Sequence, residues 1–172
     1  RFDSLAALHG DDVIVEGEQE ALDFLDQAIK PLCNVKVLPR VGPGATVMGR
    51  YLKRYICYIP GVGYEWNEDP KHVIQLPEAT GKTLAKPQGS PSSRDIGKSD
   101  PQVLDELEAE EQTTYRSNTG RVLYVSSGRF DLQYTAKTLG EQMSCPLRLG
   151  VAQLERCARY LAGCAHLALL FK

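Results

Sequence analysis

Residues 114–163, TYRSNTGRVLYVSSGRFDLQYTAKTLGEQMSCPLRLGVAQLERCARYLAG, hold two apolar stripes. Leu132, Ala136, Leu139 and Met143 recur at the three-to-four-residue interval that stacks side chains on one face of a helix. Leu147, Val151, Leu154, Ala158 and Leu161 repeat the pattern, and Ser144-Cys145-Pro146 separates the two stripes. The spacing predicts that the chain is helical from residue 114, with Gly163 ending the last helix and a final strand over 166–171.

Moving outward, residues 79–102 are rich in Gly, Pro, Ser, Lys and Asp and lack periodicity, so they read as a surface linker. Asp100-Pro101 is expected to cap a short helix. The preceding part is β-rich. Apolar runs at 4–8 and 13–16 flank His9-Gly10-Asp11-Asp12, a turn by composition, giving a β-hairpin with two acids at its tip. Leu22, Leu25, Ile29 and Leu32 predict a helix over 18–32, followed by strands over 34–38, 46–48 and 51–59. In the last of these, Tyr51, Lys53, Tyr55, Cys57 and Ile59 share one face. A turn at 60–63 leads to a return strand at 64–66. Asp69 then caps a helix that opens on Pro70 and stops before Pro77. The expected fold class is α+β.

With 172 residues and 42% hydrophobic content, the chain is long enough for one globular core. Its mean hydropathy is −0.29, and no apolar run approaches the roughly 18 residues that span a bilayer. Arg1 rather than Met opens the sequence, and residues 1–10 lack the pattern of a secretory signal, so a segment of a longer intracellular chain is expected. Five cysteines at irregular spacing imply no disulfide framework. Cys157 and Cys164, with His166 beyond, are too far apart for ordinary zinc spacing and read as thiols on an apolar helix face.

The net charge of −2 conceals an uneven distribution. Residues 33–56 carry +5, residues 100–111 carry −6 and residues 112–172 carry +5. Basic regions of this kind suit a polyanion or serve as solvated faces. Two phosphate-loop patterns fail. GATVMGRY (44–51) ends in Arg-Tyr instead of Lys-Ser/Thr, and Gly81-Lys82-Thr83 has Leu76 where the first glycine belongs. Adjacent carboxylates on a hairpin turn can ligate hard divalent cations. Two-metal nucleotidyl transfer needs such ligands, although Asp and Gly also favour turns for local reasons.

Several segments, in order, resemble the reverse transcriptase of copia-type retrotransposons. LHGDDVIVEG (8–17) is similar to the family's Asp-Asp segment, VMGRYLKR (47–54) to its aliphatic–Gly segment, and YEWNEDPKHVIQL (64–76) to the strand and helix that follow. The most specific likeness lies in Tyr115-Arg116-Ser117, Gly120, Leu123-Tyr124, Arg129-Phe130-Asp131, Tyr134, Met143-Ser144-Cys145-Pro146 and Arg159-Tyr160-Leu161-Ala162-Gly163. His9 stands where the family has an aromatic residue, and Phe130 where it has Pro. The resemblance implies a palm segment over 1–78, a linker with an acidic helix over 79–112, and a thumb or connection over 113–172 leading toward ribonuclease H. It implies Asp11 and Asp12 as catalytic ligands of Mg²⁺ or Mn²⁺, and Arg50, Lys53, Arg54 and Arg116 as nucleic-acid contacts. Implied partners are an RNA template, a DNA primer, dNTPs and the rest of the Pol polyprotein (fingers, ribonuclease H, integrase), in a cytoplasmic virus-like particle. A third catalytic acid is then expected outside these residues. Two other readings are a non-catalytic remnant that binds nucleic acid at most, and a receiver-like module, which would require regular βα alternation.

Overall fold

The structure is a computed structural model and describes residues 3–97 and 99–172. It is α+β, with a separate two-stranded hairpin, a four-stranded antiparallel sheet and a helical core. The hairpin pairs β1 (Ser4–His9) with β2 (Asp12–Gly17) and is followed by α1 (Gln19–Ile29). The predicted helix ends one turn early: Lys30 is its C-cap, and Leu32 is 81% exposed. Residues 34–38 form no strand. Val35, Val37 and Leu38 are exposed, because alternation alone makes no strand without a neighbour to take its hydrogen bonds.

The strand expected over 51–59 is broken in two. β3 (Met48–Tyr51) and β4 (Arg54–Ile59) pair as a hairpin whose two-residue loop is Leu52-Lys53. Both loop residues have positive φ, 47° and 63°, as a type I′ turn requires. Neither is the Gly, Asn or Asp that favours this conformation, so the turn is strained and lacks its usual sequence mark. Lys53 therefore sits at a turn tip, not on a strand face. β5 (Gly63–Asn67) returns after the predicted turn. The final strand β6 (Leu169–Phe171) pairs antiparallel with β5, so the sheet order is β3-β4-β5-β6.

α2 (Pro70–Ala79) begins as expected, with Asp69 Oδ1 accepting from the Lys71 amide at 3.0 Å and Pro70 in the first turn. It continues past Pro77, whose missing N–H is tolerated in this short helix. Asp100-Pro101 starts a turn, not a helix: Asp100 Oδ1 accepts from the Gln102 amide at 2.9 Å. The helix starts instead at α3 (Ala109–Ser126), where Glu108 and Glu111 form a capping box. A 3₁₀ turn (Phe130–Leu132) leads into α4 (Gln133–Glu141), and α5 (Arg148–Cys164) closes the core.

Both predicted stripes face inward. Val73 and Leu76 of α2, Tyr115, Val122 and Val125 of α3, Leu132, Ala136 and Leu139, and Leu154, Cys157, Ala158 and Leu161 of α5 form one buried cluster. Residues from both sides of the 79–102 stretch share this core. Tyr115 adds a buried polar tie, its hydroxyl donating to the Leu139 carbonyl at 2.7 Å. Burying these side chains is the main stabilising term at about 25 cal/mol per Å² of apolar surface. Leu139→Ala and Leu154→Ala are each expected to destabilise by about 2–5 kcal/mol through cavity formation. Leu32→Ala, at an exposed site, is expected to cost under about 0.5 kcal/mol. Chemical denaturation of the three variants measures both.

Candidate functional site

The hairpin tip follows from register. His9 pairs with Asp12, which leaves Gly10 and Asp11 as a two-residue loop. Gly10 has φ +61, as the first central residue of a type II′ turn requires, and glycine takes this conformation without a Cβ clash. Asp11 thus sits in the loop and Asp12 opens β2. Both are exposed, and neither side chain has a hydrogen bond or ion pair among the described residues. Carboxylate oxygens suit Mg²⁺ or Mn²⁺, but two side chains fill only part of an octahedral shell. Among the described residues no group of three or more His, Cys, Asp or Glu could hold a metal ion.

The hairpin is also unusual in its faces. Cross-strand pairs Ala6–Val15 and Leu8–Val13 lie on one side, and Ala7–Ile14 with Leu5 on the other. Leu5 and Leu8 are about three-quarters exposed, at 75% and 73%. Strands apolar on both faces are suited to burial between two layers.

The four basic candidates have different surroundings. Arg50 is exposed, ion-paired to Asp69 at 3.6 Å, and lies over the Tyr55 ring at 5.4 Å. Lys53 is exposed at its turn tip. Arg54 is mostly buried: its Nε donates to both carboxylate oxygens of Glu68 at 2.9 and 3.1 Å, its Nη2 donates to the Ser127 hydroxyl, and its guanidinium lies 5.3 Å over Tyr124. Arg116 donates to the Met143 carbonyl at 2.8 Å and to Gln112 Oε1 at 3.0 Å, and so covers the chain leaving α4. Charge counts in the sequence could not show that Arg54 and Arg116 are committed to internal partners.

The sequence marked Arg129, Asp131 and Tyr160 through the family resemblance and Arg54 as a nucleic-acid contact, but not that they belong to two buried polar clusters. Glu68 follows β5 directly, and Gly128 abuts it so closely that a Cβ there would collide with the carboxylate. Burial pushes the Glu68 carboxyl above its usual range, and the bond and charge of Arg54 only partly offset this. Arg129, almost fully buried, makes a two-point pair with Asp131 at 2.9 and 2.7 Å and donates to the Cys164 carbonyl at the end of α5 at 3.1 Å. Tyr160 donates to Asp131 Oδ2 at 2.7 Å. Burial opposes the charge on Asp131, but the Arg129 and Tyr160 bonds outweigh it and hold the carboxyl below its usual range. Cys157 is buried, which pushes its thiol up to about 12, while His166 is exposed. Between the sheet and the end of α5 lies a cleft of about 500 Å³ lined by Tyr55, Cys57, Glu65, Asn67, Arg129 and His166.

No family model, curated protein or solved structure matches this chain. No helix among the described residues is long and apolar enough to cross a membrane.

The Asp131 carboxyl titrates lower in the folded protein than in the unfolded chain. The stability it contributes is therefore complete above the ordinary carboxylate pKa of roughly 4, and is lost as pH falls through its depressed folded value. Asp131→Asn is expected to cost about 2 kcal/mol at pH 7. This is below the usual cost of stranding a buried partner, because Asp131 keeps some contact with water. The variant should also show a shallower loss of stability on acidification. Urea denaturation between pH 3 and 7 reads out both.

Proposed function

We propose that the chain is the C-terminal part of a copia-type reverse transcriptase, in which Asp11 and Asp12 are ligands of the catalytic divalent ions. The carrying observation is the hairpin tip, where the Gly10 turn presents two adjacent carboxylates to solvent with no protein partner among the described residues. An acidic pair that served only the turn would be expected to bond nearby amides, as Asp69 and Asp100 do. The two apolar faces of the hairpin support the same reading, since they suit a strand pair covered by further palm elements. The residues that carry the family resemblance also meet in space: Arg116 with Met143, and Arg129 with Asp131 and Tyr160.

On this reading β1 to α2 form the end of the palm, and α3 to α5 a thumb or connection. Asp11 and Asp12 supply two of the oxygen ligands, and further ligands come from outside these residues. The bound ions would activate the primer 3′ oxygen and neutralise charge on the departing pyrophosphate. Gly10, lacking a side chain, and His9, opposite Asp12, shape the floor beside the primer end. Lys53 and Arg50 are the exposed cations on the β3–β4 hairpin that a template–primer duplex could meet.

In the intact polymerase, Asp11→Asn and Asp12→Asn are each expected to lower Mg²⁺-dependent primer extension by at least about 100-fold, with the fold unchanged. Losing a ligand charge acts on the transition state, where such interactions are worth several kcal/mol. Residues 1–172 alone are expected to incorporate no dNTP. Near-normal extension by either variant would reduce the acids to turn residues and leave a non-catalytic, nucleic-acid-binding remnant as the better reading.

A further inference from the structure

Arg156 and Arg159 lie one turn apart on α5, both half-buried. The Nε of each is buried and has no hydrogen-bond acceptor among the described residues. Arg156 uses one terminal nitrogen to reach the Ser90 hydroxyl at 3.1 Å. The two guanidiniums line a pocket of about 280 Å³ together with Ser93, Gly97, Ala152 and Glu155. The pocket forms where the 79–102 stretch folds back over α5.

The chemistry of this pocket is specific. Each Nε is enclosed by the protein and out of a ligand's reach, so what the two residues offer the pocket is the terminal N–H groups of two guanidiniums one turn apart. Two planar forks one turn apart match the several oxygens of a phosphate better than a single carboxylate. Two acids share the lining: Glu155, which pairs with Lys82 at 3.1 Å, and Asp95, which makes an interaction of its own. A volume of about 280 Å³ leaves room for a phosphate group with water, each water taking about 30 Å³.

We infer that the Arg156–Arg159 pocket holds a backbone phosphate of a bound nucleic acid strand. The site rests on the two guanidiniums, whereas a nucleic acid as the source of the phosphate rests on the polymerase reading above. The pocket takes over the role that charge alone suggests for Arg54 and Arg116, which bond internally to Glu68 and to carbonyls. Phosphate contacts of this kind add affinity without sequence preference.

The test is anisotropy titration of a labelled RNA–DNA hybrid with the full chain over a series of salt concentrations, with inorganic phosphate as competitor. The double variant Arg156→Gln, Arg159→Gln is expected to bind about tenfold or more weakly at low salt. Its log affinity–log salt slope should be shallower by roughly two, about one for each arginine–phosphate interaction removed. Arg156→Lys with Arg159→Lys should restore the slope but only part of the affinity, because lysine lacks the fork. Arg159→Gln alone guards against misfolding, since its Nε has no internal acceptor among the described residues, and it should shift the slope by about one. Wild-type affinity and slope in the Gln variants, or no hybrid binding by the wild type at low salt, would overturn the proposal. So would competition by inorganic phosphate with hybrid binding unaffected in the double variant, which would leave a free phosphate as the occupant. Primer extension by the Asp11 variant of the intact polymerase is independent of this pocket, so the two readings can fail separately.

Discussion

Glu68 fastens the sheet to the helices through a buried charge. It follows β5 and meets Arg54 from the neighbouring strand, and Arg54 in turn stacks on Tyr124 and bonds Ser127 at the end of α3. Gly128 gives the carboxylate its space. A buried acid costs free energy unless its oxygens are satisfied, so β4, β5, α2 and the α3 terminus must all be in register for the native state to be tolerable. That demand sets the position of the sheet against a largely apolar core. Arg129 and Asp131 do the same at the end of α5, where the guanidinium also covers the final carbonyl of the helix.

The helical stripes were legible because burial and periodicity coincide there: Leu139, Leu154 and Leu161 are all essentially inaccessible. The Asp69–Pro70 cap, the 60–63 turn and the last strand were legible for equally local reasons. The failures were of another kind. Residues 34–38 alternate like a strand but have no neighbour, and Asp100-Pro101 looks like a cap but has no apolar face behind it. The Leu52-Lys53 turn gave no warning, because its positive φ angles are imposed by the pairing of β3 with β4 and by no preference of those side chains. In each case the local pattern does not carry the pairing or packing that decides the outcome.

Charge was the least legible property. Basic side chains look alike when counted, yet Arg54, Arg116 and Arg129 are internal fasteners, Arg50 is half-engaged, and Lys53 stands at a turn tip. The hairpin acids are the reverse case. They were visible in the sequence, and the structure leaves them without partners among the described residues.

The pairing of β6 with β5 joins Trp66 to Leu169 across most of the chain. Closing so long a loop is entropically slow but adds little to the equilibrium cost, because that cost grows only with the logarithm of loop length. During synthesis, β5 must therefore wait with an open edge until the last helix has left the ribosome. Until then its unpaired N–H and C=O groups are available to any other extended segment, including the same edge on a second nascent chain. The last strand is in this sense a built-in plug against misassembly, and crowded translation on a single message is the condition under which it matters most.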